Sequence, residues 1–116
     1  MKENIIQIKS YDFAVQIVKL YKILIDERKE YILSKQLLRS GTSIGANVEE
    51  ALGGQSKKDF FAKLSIAYKE ARETHYWIRL LRDTNYLTIE ESKLFLENTS
   101  ELLKIIGSIQ KTIRNS

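Results

Sequence analysis

The residues with the most chemistry to offer lie between Lys58 and Arg82. Lys58, Phe61, Tyr68, Arg72, His75, Arg79 and Arg82 are spaced by threes, fours and one seven, which on a helix gathers them on one side. Lys63 and Lys69 lie nearby. Cations interleaved with rings can neutralise phosphates while offering flat faces to bases. The same pattern also fits a solvated bundle face whose cations pair with acidic neighbours and whose rings pack inward. On the first reading Lys58, Lys69, Arg72, Arg79 and Arg82 are the candidate contacts to RNA or DNA, bound without strong sequence preference. On the second, the protein is an interaction scaffold that recruits a partner enzyme.

A second set of reactive types is the carboxylates Glu49, Glu50, Glu70 and Glu73. Helical bundles hold di-metal centres with Glu-x-x-His pairs projecting inward. In "EARETH", however, Glu73 and His75 are two apart, and the chain has a single histidine. The alternative is that Arg39, Asn47, Glu50, Glu70 and Glu73 form charge-paired polar layers between helices, of the kind that can fix register. No metal or cofactor is expected. His75 alone can act as an acid or base, but no nucleophile constellation accompanies it. Ser40, Ser43 and Ser65 are explained by small volume and hydrogen-bonding capacity, so the expectation is a protein that is not an enzyme.

The third candidate is the small-residue stretch "LRSGTSIGANVEEALGGQSKKDF". A phosphate loop requires a glycine–lysine–serine/threonine ending after a strand, and "GTSIGANVE" has no such lysine. The preceding "YILSKQLLR" is spaced as a helix, and no βαβ unit surrounds it to make a dinucleotide fingerprint. As helix, the stretch places Gly41 and Gly45 on one side, leaving a groove where another helix backbone can approach. Each glycine costs about 1 kcal/mol relative to alanine in a helix interior, a cost that close packing must offset.

These groups have to be positioned by helices, since nothing in the sequence alternates as a half-buried strand does and proline is absent. The spacing predicts four, at about 10–27, 31–53, 57–84 and 88–113. Ser10 is the expected cap of the first, whose stripe Phe13, Ile17, Leu20 and Leu24 has an apolar neighbour in Ala14, Val18, Tyr21 and Ile25. That arc is wider than the ~100° a bundle helix buries. The surplus calls for either a cover by Ile5 to Ile8 or a subunit interface. Ser56 with Asp59, and Thr88 with Glu91, are capping-box pairs opening the third and fourth helices. The third carries the seam Phe60, Leu64, Ala67, Ala71, Thr74, Ile78 and Leu81, with bundle spacing. The fourth places Phe95, Thr99, Leu102, Ile106, Ile109 and Ile113 on one face. Four antiparallel helices with short turns, forming one all-α domain over residues 1–116, is the economical assembly.

Composition agrees and narrows the classes. The 116 residues are 43% hydrophobic and 29% charged, the balance of a globular protein. The absence of cysteine excludes disulfides, zinc-thiolate sites and thiol catalysis. No apolar run approaches the ~20 residues that span a bilayer, and "MKENIIQIKSYDF" lacks a signal-peptide core, so a cytoplasmic location without membrane contact is expected. A net charge of +4 and a pI near 9.3 permit an anionic partner without requiring one.

The block "LSKQLLRSGTSIGANVEEALGGQSKKDFFAKLSIAYKEARETHYWIRLL", preceded by "SYDFAVQIVKLYK", resembles the bacterial 23S ribosomal RNA intervening-sequence proteins. "QLLRSGTSIGANVEEA" and "KEARETHYWIRLL" match that family's characteristic motifs. The resemblance implies a left-handed up-down four-helix bundle assembling as a ring-shaped homopentamer. It further suggests kinship with the pentameric accessory variability protein of diversity-generating retroelements, which binds nucleic acid and works with a reverse transcriptase. A reverse transcriptase is thereby a partner by analogy.

Overall fold

The computed structural model describes residues 4–116, and among these four helices carry nearly all of the chain: α1 (Ile5–Asp26), α2 (Leu33–Leu52), α3 (Lys57–Asp83) and α4 (Ile89–Arg114). No strand occurs among the described residues. Successive helices pack against one another, α1 on α2, α2 on α3 and α3 on α4, while α1 and α4 meet more sparingly. The body is elongated, 46 × 25 × 20 Å, close to the length of its longest helix at 1.5 Å per residue. No helix among the described residues is long and apolar enough to cross a membrane.

The helix starts show how local chemistry sets the boundaries. α1 begins five residues earlier than its spacing from Ser10 suggests. Asn4 is the cap, its side-chain oxygen accepting from the Gln7 amide at 3.1 Å. Ser10 is instead buried one turn inside the helix, donating to the Gln7 carbonyl. Ile5 to Ile8 therefore belong to α1 and do not fold back over it. α2 starts at Leu33 rather than Tyr31, and residue Ile32 offers no cap. Glu30 caps the helix in its place. Its buried carboxylate accepts from the amides of Ile32, Leu33 and Ser34, the last at 2.6 Å, and Ser34 Oγ returns a bond to the Glu30 carbonyl. A carboxylate at that end also suits the helix dipole.

At α4 the capping box closes in both directions between Thr88 and Glu91. At α3 only half of it forms. Ser56 Oγ accepts from the Asp59 amide at 3.0 Å, but aspartate is one methylene shorter than glutamate, and no bond reaches back to the Ser56 amide.

Most of the core is made of stripes legible in the sequence, joined by Ile6, Leu87 and the α2 residues Leu37, Ile44, Val48 and Ala51, while Phe95, Ile109 and Ile113 of the α4 stripe are half-buried. Phe13, Ile17, Leu20 and Leu24 of α1, Leu64, Ala67, Ala71, Thr74, Ile78 and Leu81 of α3, and Thr99, Leu102 and Ile106 of α4 are all buried; Phe60 is half-buried. The groove at Gly41 and Gly45 exists and receives α1. A Cβ on Gly41 would lie 2.8 Å from Ile17, and one on Gly45 would lie 3.1 Å from the Ser10 carbonyl oxygen. Polar atoms inside are satisfied: Thr74 donates to Ser40 at 2.9 Å between α3 and α2, and Gln110 donates to Ser65 at 2.7 Å between α4 and α3. No buried side-chain polar atom lacks a partner among the described residues.

Candidate nucleic-acid interface

Part of the charge on α2 and α3 is taken up by structural pairing. Arg39 of α2 reaches Glu70 at 3.0 Å and also Glu73, both on α3. Trp77 Nε1 donates to Glu73 at 2.9 Å, and this bond, with that from Arg39, holds the Glu73 carboxyl below its ordinary range. Lys63 pairs with Glu50 at 2.9 Å, and Glu49 accepts from Gln7. The charge pairs expected from the sequence are thus present between α2 and α3, but at the bundle's surface rather than as layers inside it. Asn47 is the exception, bonding to the Ser43 carbonyl of its own helix. No three His, Asp or Glu side chains among the described residues are grouped to hold a metal ion.

The seam between α3 and α4 is different. Arg72, His75 and Arg79 of α3 converge with Ser100 and Leu103 of α4 on one shallow cleft. Among the described residues neither Arg72 nor Arg79 has a carboxylate within 4.0 Å. Arg79 lies 5.8 Å from the ring centroid of exposed Tyr76, a cation–π approach. His75 is half-buried, and burial first, then the charges of Arg79, Arg82 and Arg72, push its pKa down. The neutral imidazole is therefore favoured, beside three arginines of which Arg82 is paired with Asp83. Such a cleft can stabilise an anion; a negative group placed there would satisfy both arginines and favour the imidazolium.

The other predicted contacts fall outside this cleft. Arg82 shares the face but pairs with its neighbour Asp83 at 2.8 Å, which lowers its availability to a ligand. Lys69 is exposed on the outer flank of α3. Lys58 stands at the start of α3, in a separate recess with Lys57, Phe61, Ile113 and Arg114. The five residues therefore form one tight group, Arg72 and Arg79, and three outliers. Sequence reading within single helices missed Lys111 and Arg114, which α4 brings beside Tyr68 and Gly107 on the same seam. The available signal was their position in the last turn of α4, which a short connection folds back along α3.

An all-α protein of four helices with a cationic cleft between the last two is the class that fold and site define. A family model places the chain more narrowly: that of the 23S rRNA-intervening sequence proteins matches residues 2–108. The chain belongs to that family. Among solved structures it is similar to a Bacteroides thetaiotaomicron protein of unknown function from the S23 ribosomal protein family. The two share 52% identity and a TM-score of 0.90, over 91% of this chain and 98% of the other. No curated protein matches the sequence.

Proposed function

We propose that this protein is a non-enzymatic, oligomeric four-helix bundle that binds RNA or DNA through the basic surface of α3, without strong sequence preference. The observation that carries the reading is the cleft of Arg72, His75 and Arg79. What sets this pair apart is convergence: two exposed arginines of α3 line one cleft with a half-buried imidazole and no lining carboxylate, whereas Arg28, Arg39 and Lys63 are matched by carboxylates across helices or loops. Phosphate is the anion that such a pair serves in any sequence context.

The assembly in this reading is an up-down, left-handed bundle closed into a cytoplasmic homopentameric ring, as the family resemblance implies. Each ring would repeat the cleft five times, so weak contacts would add by multivalency. Neither a cofactor nor a metal takes part.

The test is a salt titration of binding by the native protein and by Arg72→Glu/Arg79→Glu. Native affinity should fall steeply with salt, because each neutralised phosphate releases counterions. The variant should lose binding while keeping its oligomeric mass. Equal binding by both, or none at low salt, would replace this reading by the scaffold. That second reading has its own support in Ile5, Ile8, Tyr11 and Val18, all exposed along α1. Its partner would be a protein, with a reverse transcriptase as the analogue drawn from the family's kin.

A further inference from the structure

Three recesses open along the seam where α4 lies on α3, and no carboxylate lines any of them. The first is the cleft of Arg72, His75 and Arg79. The second lies beside it, with Tyr68, Lys111 and Arg114 in its walls. The third shares Arg114 with the second and adds Phe61 and Lys58. The recesses along α1 and the outer side of α4 are unlike them, being lined by Asp12 and Glu101 or by Glu97 and Glu101. Of these five recesses, the three on this seam are the ones without acid in their walls.

Each recess also has a ring in its wall. Phe61, Tyr68 and His75 are seven residues apart in turn, which on a helix sets them ~10.5 Å apart along one side. All three are half-buried, so their edges are held by the bundle while part of each ring faces the recess. Gly107 keeps the middle recess open: a Cβ there would lie 3.8 Å from the Tyr68 ring, and a larger side chain would cover it. The guanidinium of Arg114 lies 5.3 Å from the Phe61 centroid, a planar cation beside a planar ring.

Resting on the nucleic-acid reading above, we propose that the α3–α4 seam is a track for a single strand, with Lys111 and Arg114 of α4 as backbone contacts and Phe61, Tyr68 and His75 as surfaces for bases. From Lys58 to Arg79 the track is ~30 Å long, within the range that serves several nucleotides. A duplex presents phosphates on a rigid outer surface and keeps its bases stacked inside. It can meet the charged tips but not the recessed rings. A single strand turns its bases outward at little cost and can use both.

The experiment is fluorescence anisotropy with a mixed-sequence 12-nucleotide DNA strand, its RNA counterpart and the matching duplexes, at several salt concentrations. The native protein should bind the single strands at least about tenfold more tightly than the duplexes, since one stacked base contributes about that much. Lys111→Glu/Arg114→Glu should weaken binding by about tenfold or more and lower the salt slope by about two. Tyr68→Leu should narrow the gap between strand and duplex at an unchanged salt slope. If that variant melts early, Phe61→Leu makes the same test. Duplex bound as tightly as single strand overturns the track. So does native-like binding by the α4 variant while Arg72→Glu/Arg79→Glu loses it; that result leaves the wider basic-surface reading standing. Failure of the native protein to bind any probe at low salt removes both.

Discussion

The carbonyl oxygen of Ser10 stands 3.1 Å from the point where a Cβ on Gly45 would lie, so α1 and α2 meet there nearly backbone to backbone. This contact explains why a helix that could carry alanine carries glycine. It also separates the protein's glycines by their tolerance of substitution. Gly45→Leu should overpack the contact and destabilise the fold by about 1–3 kcal/mol or more. Gly53→Ala is the control. Its φ is −86° and its Cβ would find nothing nearer than 3.7 Å, so the change should stay within about 1 kcal/mol. Thermal melts of the two variants decide the matter, and equal midpoints would mean that the close contact does not exist.

A second relationship ties the two loops at one end of the molecule. Arg28, between α1 and α2, donates to the Tyr86 carbonyl at 2.7 Å and to Glu91 at 2.8 Å. With Arg28 as the leading cause and the Thr88 cap assisting, the Glu91 carboxyl is held down at about 2. A carboxylate depressed in the folded state stabilises it above the unfolded value near 4.5, and loses that contribution as pH falls from there towards 2. Arg28→Ala should therefore reduce stability at pH 7 by on the order of 1 kcal/mol, the solvent-facing side of the pair limiting the effect. The difference from the native protein should shrink as pH drops through this window. A gap that stays constant down to pH 2 would assign the effect to lost packing.

How far the sequence could be read follows from the range over which each feature acts. The stripes of α1, α3 and α4 were legible because helical spacing alone decides which side of a helix is apolar. The α4 capping box was legible because Thr88 and Glu91 are three apart. Ser10 was misread as a cap because its type fits one, and only burial shows that the helix passes through it. Glu30 was invisible as a cap, since its carboxylate acts on α2 from outside the usual cap position. The cluster from Lys58 to Arg82 was found as a stripe, but its division into a cleft and outliers depends on which way α4 lies against α3. Lys111 and Arg114 join the seam only through that packing.

The exposed apolar flank of α1 leads to a prediction about assembly. Tyr11 is 65% exposed and Val18 36%, on a helix whose opposite face is already in the core. With the pentamer that the family resemblance implies, light scattering in moderate salt should return a mass near five chains. Tyr11→Glu/Val18→Glu should dissociate the assembly, because two charges in an apolar contact are left without partners. A dimeric native mass would keep the α1 interface and reject the ring. A monomer at micromolar concentration would reject both.

The last prediction concerns pH and the single histidine. His75 faces Arg72, Arg79 and Arg82 from its own helix and Ser100 and Leu103 from α4, and the carboxylate beside these arginines, Asp83, is engaged by Arg82 and Arg79. Burial first and the arginines next hold its pKa below 6.5. In the free protein the folded state therefore binds fewer protons than the unfolded one, and stability should rise with pH between the lowered pKa and about 6.5. A phosphate in the cleft reverses the local field, so the pKa in the complex must be higher than in the free protein, and binding must take up protons. Affinity for a single strand should accordingly increase as pH falls through the bound-state pKa towards the lowered pKa of the free protein, at constant ionic strength. His75→Gln should keep most of the affinity at about pH 8 and flatten the profile. The histidine is the only one in the chain, so its ring resonance can be followed by NMR without assignment by mutation, free and bound. An unchanged ring pKa on binding, or a pH profile equally steep in His75→Gln, would show that phosphate does not enter this cleft.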